Sequence, residues 1–197
     1  MRTCKLTLGS LAVLAATCCL IPTNLSAAAF AKYDGVDGES SDRNHDKWID
    51  VLSTDWGMDR PGSSGASRRR GDVVVRDFVL TMAYDKASPK LAEKCLKGEV
   101  IPKLEIEMTA NYGGSRATYL KYELKNVMIT SFQVSASGND GADPPTVVIS
   151  NNFEEIKVTY TEYDSSGNRG GNVEYQWKVE EGEKLVGVGD ADPAEEP

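Results

Sequence analysis

The sequence predicts a mainly β domain, a barrel or two packed sheets with one short helix at its side. Three observations carry this. Apolar residues recur with period two in many short runs, the spacing of strands with one buried face. Gly, Asn, Asp and Ser cluster between those runs, where turns need them. Helical spacing of apolar residues occurs in a single place. The 197 residues suit one domain with one core.

The clearest strand covers 103–112. Leu104, Ile106, Met108, Ala110 and Tyr112 share one face, and Lys103, Glu105, Glu107, Thr109 and Asn111 the other. Gly113-Gly114 supplies a turn that takes positive φ. The following strand, 119–128, sets Leu120, Tyr122, Leu124 and Met128 against Lys121, Glu123 and Lys125, so the two form a hairpin. Further strands are expected over 30–36, 48–56, 73–84, 129–137, 147–151, 156–163 and 173–179. In the last of these, Val173, Tyr175, Trp177 and Val179 alternate with polar residues. The glycine-rich loop 164–172 joins the final two strands as a hairpin.

The helix begins at Ser88, a candidate cap, with Pro89 at its first position. Leu91, Ala92, Cys95 and Leu96 form its apolar stripe, and Gly98 ends it. A helix this short must dock on the sheet.

The first segment belongs to targeting rather than to the fold. Arg2 and Lys5 precede the apolar run 6–21, Pro22 follows, and Ser26, Ala27, Ala28 and Ala29 are all small. That order reads as a secretory signal peptide over 1–28, with Ser26 and Ala28 as the small residues before the cut. The run is shorter than the about 20 residues a membrane span needs, so no stable span is expected after cleavage. Export to the periplasm or medium follows. The alternative is a misassigned start near Leu25, which leaves the protein in the cytoplasm before secretion. Cys4, Cys18 and Cys19 depart with the leader, so Cys95 alone remains and no intrachain disulfide forms. The formal charge moves from −8 to −10 as Arg2 and Lys5 leave. An acidic chain argues against phosphate-backbone binding, so no nucleic-acid partner is expected. The domain is placed at 29–181, and 182–197 is an acidic tail without apolar period, expected to be disordered.

One stretch has a familiar order: Asp77-Phe78-Val79-Leu80-Thr81-Met82-Ala83-Tyr84-Asp85-Lys86-Ala87-Ser88-Pro89-Lys90-Leu91. It closely resembles the Hcp family, the haemolysin-coregulated proteins of type VI secretion systems. Flanking matches are Tyr33-Asp34-Gly35-Val36-Asp37-Gly38-Glu39-Ser40, His45-Asp46-Lys47-Trp48-Ile49-Asp50-Val51, Ser53 with Trp56-Gly57, Phe153-Glu154-Glu155-Ile156, Tyr160-Thr161, Gly170-Gly171 and Trp177. The resemblance covers about residues 30–181. It implies an Hcp-like β-barrel of two packed sheets with one short helix at its side. It also implies rings of six copies that stack into a hollow tube, propelled by a contractile sheath and carrying effectors. Sheath, spike and effector proteins become candidate partners beside the chain itself. In the family a long loop after the second strand reaches toward the next ring. Here that loop is 60–71, and Arg68, Arg69 and Arg70 are its candidate ring-stacking contacts, aimed at acidic residues of a neighbouring subunit. The leader and the acidic tail depart from the family pattern.

Catalysis has little to stand on. His45, the single His, reads as an exposed loop residue. Cys95 lies on the apolar face of the helix and reads as packing. Asp42, Asn44 and Asp46 alternate as in a calcium loop, but Lys47 stands where Gly is needed and Ser53 where Glu is needed. One Cys and one His give no zinc spacing. No catalytic, cofactor or metal residue is therefore assigned, and the chain reads as a non-enzyme. The leading function is a tube-forming subunit. The alternative is an exported binding or adhesion module independent of a contractile apparatus.

Overall fold

The computed structural model describes residues 28–60, 73–136, 138, 144–179 and 183–184. In chain order these form β1 (Ala28–Tyr33), β2 (Ile49–Asp55), β3 (Met58–Asp59), β4 (Val74–Val75) and β5 (Phe78–Ala83). Helix α1 (Ser88–Lys97) follows, then β6 (Ile101–Tyr112), β7 (Ser115–Ser135), β8 (Thr146–Asn152), β9 (Glu155–Tyr163), β10 (Arg169–Lys178) and β11 (Glu183–Lys184). The mainly β architecture with one short helix is as the sequence predicts.

One strand closes the barrel. The period-two patterns over 119–128 and 129–137 belong to a single strand, β7, of 21 residues. Its first half pairs with β6 on one edge and, over Leu120 to Lys125, with β9 on the other. Its second half pairs with β8. The antiparallel ring therefore runs β7-β6-β1-β2-β5-β8 and returns to β7. Strands β9, β10 and β11 extend the sheet beyond that ring. Closure removes edges that an open sheet would leave exposed.

Asn126 bends β7 between its two roles. Its φ is 51°, a left-handed conformation that Asn tolerates better than most residues. The bend changes which side chains point inward. Leu124, Val127 and Ile129 are buried, whereas Met128, expected on the apolar face, is 40% exposed. Strand β6 changes phase in the same way. A register shift between Met108 and Thr109 turns Thr109 into the core at 1% exposure. The expected strand 73–84 is also interrupted, at Arg76-Asp77. There the Asp77 carboxylate accepts hydrogen bonds from the Thr130 hydroxyl and the Asn152 amide instead of continuing the ladder.

The core is aliphatic and aromatic, with Tyr33, Phe78, Leu80, Leu104, Ile106 and Ile149 each at most 1% exposed. It carries one polar connection. The Tyr33 hydroxyl donates to Asn151 Oδ1 at 2.9 Å, and Asn151 Nδ2 donates to the Phe78 carbonyl at 3.0 Å. Burial pushes the Tyr33 hydroxyl far above its ordinary value, so it stays neutral and donates.

Helix α1 docks through Leu91, which is buried, and Cys95, which packs on the core. Leu96 lies outside the stripe predicted for it and is 88% exposed. The helix start also differs from expectation. Ala87 is the cap, and Ser88 is already helical and buried. The capping oxygen comes from Asp85, whose carboxylate accepts the Ala87 and Ser88 amides at 2.9 and 3.2 Å. Ser88 Oγ accepts the Asp85 amide at 3.0 Å in return. Burial pushes the Asp85 carboxyl up, and these hydrogen bonds only partly offset it. Gly98, at φ 62°, ends the helix as expected.

Candidate assembly surface

The sheet formed by β6, β7, β9 and β10 has two unlike faces, and the register fixes which residues share each. Leu120, Tyr122 and Leu124 of β7 stand opposite Tyr160, Val158 and Ile156 of β9. Those in turn stand opposite Val173, Tyr175 and Trp177 of β10. This face enters the core at Leu124 and Ile156, which are buried. It then leaves the barrel and emerges into solvent, where Tyr160 is 45% and Val173 65% exposed. Trp56, Met58, Val75, Tyr175 and Trp177 line a groove of about 400 Å³ along the same face. The Trp56 indole is fixed there by donating to the Arg76 carbonyl at 3.1 Å.

The opposite face is charged. Lys121 Nζ lies 3.0 Å from both Glu105 and Glu123 and 3.4 Å from Glu107. Lys125 pairs with Glu155 at 2.8 Å, and Lys157 with Glu174 at 3.0 Å. Partial burial lowers the Lys121 ammonium, but the carboxylates around it more than reverse this and hold it above its usual range. A sheet with one ion-paired face and one apolar face is built to cover the second. Two strand edges are also open among the described residues. Strand β10 has β9 as its partner, with β11 covering only Trp177 and Lys178. The second half of β7 pairs with β8 alone.

His45 is the clearest correction to the sequence reading. Expected in solvent, it is 3% exposed. Its ring stacks on Phe30 at 4.1 Å and meets the Trp48 edge at 5.0 Å. Nδ1 lies 2.9 Å from Asp42 Oδ1, and Nε2 lies 3.0 Å from Glu107 Oε2. Both ring nitrogens are thus engaged by carboxylate oxygens. The His45 hydrogen bond is the chief cause that lowers the Asp42 carboxyl. For Glu107, burial raises the carboxyl, but hydrogen bonds from His45 and Thr118 leave it below its ordinary value. Asp42 Oδ2 accepts from Arg116 at 2.9 Å, and Oδ1 also accepts the Asn44 amide. The loop that resembled a cation site is thus a clasp holding the segment before β2 to β6 and β7.

Arg68, Arg69 and Arg70 lie outside the described residues, as do 1–27 and most of the tail. Within the segment assigned to the tail, Glu183–Lys184 pairs with Trp177 and Lys178. Among the described residues no helix is long and apolar enough to cross a membrane.

A family model described as "Type VI secretion system effector, Hcp" matches residues 30–160. The chain belongs to the Hcp family. Protein hcp1 of Pseudomonas aeruginosa is 34% identical over 153 residues, spanning 76% of this chain and 93% of that protein. A solved structure described as a type six secretion system protein aligns with a TM-score of 0.75 at 29% identity, covering 81% of this chain and 100% of that one. A type VI secretion system effector from Yersinia pestis aligns at 0.60 and 26% identity, over 77% and 99% of the two chains. Hcp1 from Salmonella typhimurium shares the fold, at 0.65 and 24% identity over 82% and 100%. The resemblance carried by the Asp77 to Leu91 segment is therefore a family relation, and the Hcp barrel with a helix at its side is the fold this chain adopts.

Proposed function

We infer that this chain is a structural, tube-forming subunit of a type VI secretion system. The match to the Hcp model across the barrel carries this reading. The exposed apolar face of β9 and β10, beside an open strand edge, gives it a physical basis. A second copy of the chain is the proposed occupant of that face. The surface continues the core outward, and ring closure satisfies open edges without unlimited aggregation. Six copies per ring, stacking of rings and carriage of effectors follow from the family. Arg68, Arg69 and Arg70 are proposed to meet acidic residues of the adjacent ring. Replacing all three with Glu should leave rings intact and abolish stacks in electron micrographs, and unchanged stacking would remove them from the contact.

The chain is proposed to act without catalysis, because its single His offers neither an exposed nor an unengaged ring nitrogen. Residues 1–28 are proposed to export it, so it reaches the periplasm or medium. The test of the face is the pair Val173→Asp and Tyr175→Ser. Barrels should stay folded by circular dichroism while rings disappear. Rings that persist would place the interface elsewhere, and a wild-type chain that stays monomeric would favour an exported binding module.

A further inference from the structure

Among the described residues, the outermost long strand of the sheet loses its second partner part-way along. Strand β10 gives one edge to β9. On its other edge β11 pairs with Trp177 and Lys178 alone. The burial of β10 follows that boundary: Gln176, Trp177 and Lys178 are half-buried, and Arg169 to Tyr175 are exposed. An open strand edge is a template for any extended segment within reach. The nearest such segment is the continuation of β11. Residues directly opposite in an antiparallel pair share a face, and Lys184 stands opposite Trp177. Carried on in that register, Leu185 falls opposite Gln176, Val186 opposite Tyr175, Gly187 opposite Glu174 and Val188 opposite Val173. Both valines thus land on the apolar face, beside Tyr175 and Val173, which are 38% and 65% exposed. Asp190 and Asp192 then come to the end of the edge where Arg169 is exposed. Pro193 has no amide to donate and ends the run.

We propose that residues 185–192 form a strap that continues β11 along the open edge of β10, and that a second copy pairs there only by displacing it. Three features support this occupant over others. The register is already set by Trp177 and Lys178. Valines fall at the two positions whose neighbours are apolar, and acids fall at the end that holds Arg169. Attachment gives the strap its advantage. With β11 held on β10, its local concentration is on the order of millimolar, and a free copy competes only when comparably concentrated. The strap itself is independent of the tube reading, and its effect on assembly rests on that reading.

The test follows amide hydrogen exchange of β10 by mass spectrometry in two chains, Ala28 to Pro197 and Ala28 to Lys184, both of which keep every strand and the helix of the fold. Peptides covering 170–176 are expected to exchange at least about fivefold more slowly in the longer chain, at every protein concentration. Val186→Lys combined with Val188→Lys should bring the rate to that of the shorter chain. Leu185→Lys, on the opposite face, should leave it slow. Equal rates in the two chains, or equal effects of the lysines on the two faces, would overturn the strap. Protection that appears only as concentration rises would assign the edge to a second copy and overturn it as well. Light scattering on the same samples reads assembly, and the shorter chain should form rings at a concentration at least about threefold lower. Rings at the same concentration in both chains would overturn the displacement step. A shorter chain that stays monomeric, with protection intact in the longer one, would contradict the tube reading and uphold the strap.

Discussion

Replacing His45 with Ala removes the clasp between the segment before β2 and the barrel, and the structure sets the size of the effect. Two hydrogen bonds to carboxylates, at 2.9 and 3.0 Å, disappear. Each contributes roughly 1.5–3 kcal/mol when one partner is charged. The stack on Phe30 at 4.1 Å adds about 0.5–1.5 kcal/mol. These terms overlap, and the carboxylates left behind keep some contact with water, since the side chains of Asp42 and Glu107 are 19% and 17% exposed. The expected net loss is about 3 kcal/mol, the lower end for breaking a buried charged contact. In a domain of this size it corresponds to a fall in Tm of about 6–12 °C. The pH dependence carries a second signature. Asp42 and Glu107 have lowered carboxyl values when folded. Their stabilising contribution is thus complete above their unfolded values, near 3.8 and 4.5. It is lost as pH falls through the lower folded ones. The variant should have a flatter acid limb than the wild type. Both measurements are made by thermal and urea unfolding at fixed protein concentration, because assembly raises apparent stability. A His45→Ala chain within about 0.5 kcal/mol of wild type, with an unchanged acid limb, would refute the clasp.

Four further outcomes are expected. Asp85→Ala should destabilise by about 1 kcal/mol in urea, the usual effect of removing a helix-capping oxygen. Because the folded Asp85 carboxyl is raised, the wild type loses part of its advantage as pH rises through that value, so Asp85→Asn should gain relative to wild type over the same interval. Gly113→Ala should lose about 2–4 kcal/mol in the same assay. It combines a residue at φ 54° with a Cβ placed 2.2 Å from the Ser166 carbonyl oxygen of the β9–β10 turn. Gly114→Ala, at φ 84° but with open space around it, should lose only about 1–2 kcal/mol.

The hairpin of β6 and β7, the helix and the Asp77 to Leu91 motif were legible because each signal is local: alternation, a double-Gly turn, a proline in the first helical turn and a glycine stop. The phase changes were not. Nothing around Asn126 or between Met108 and Thr109 marks a bend, and period two carried past either point assigns Met128 inward and Thr109 outward. The burial of His45 depends on Glu107, 62 residues away in sequence, and a polar loop gives no local hint of that partner. The alternation of Val173, Tyr175 and Trp177 marks one face. Its meaning was not available, because a strand covered by its own core and one waiting for a neighbour share the same pattern. The exposure of Val173 and Tyr160, which separates the two, is a property of the ring closing before β9 and β10 are reached.

Assembly is tested most directly by the solution mass of the chain from Ala29 onward, measured by light scattering after size exclusion over a wide concentration range. The account predicts closed rings, six subunits by the family's rule, with larger stacked species as concentration rises. A single monomeric mass at every concentration would contradict it.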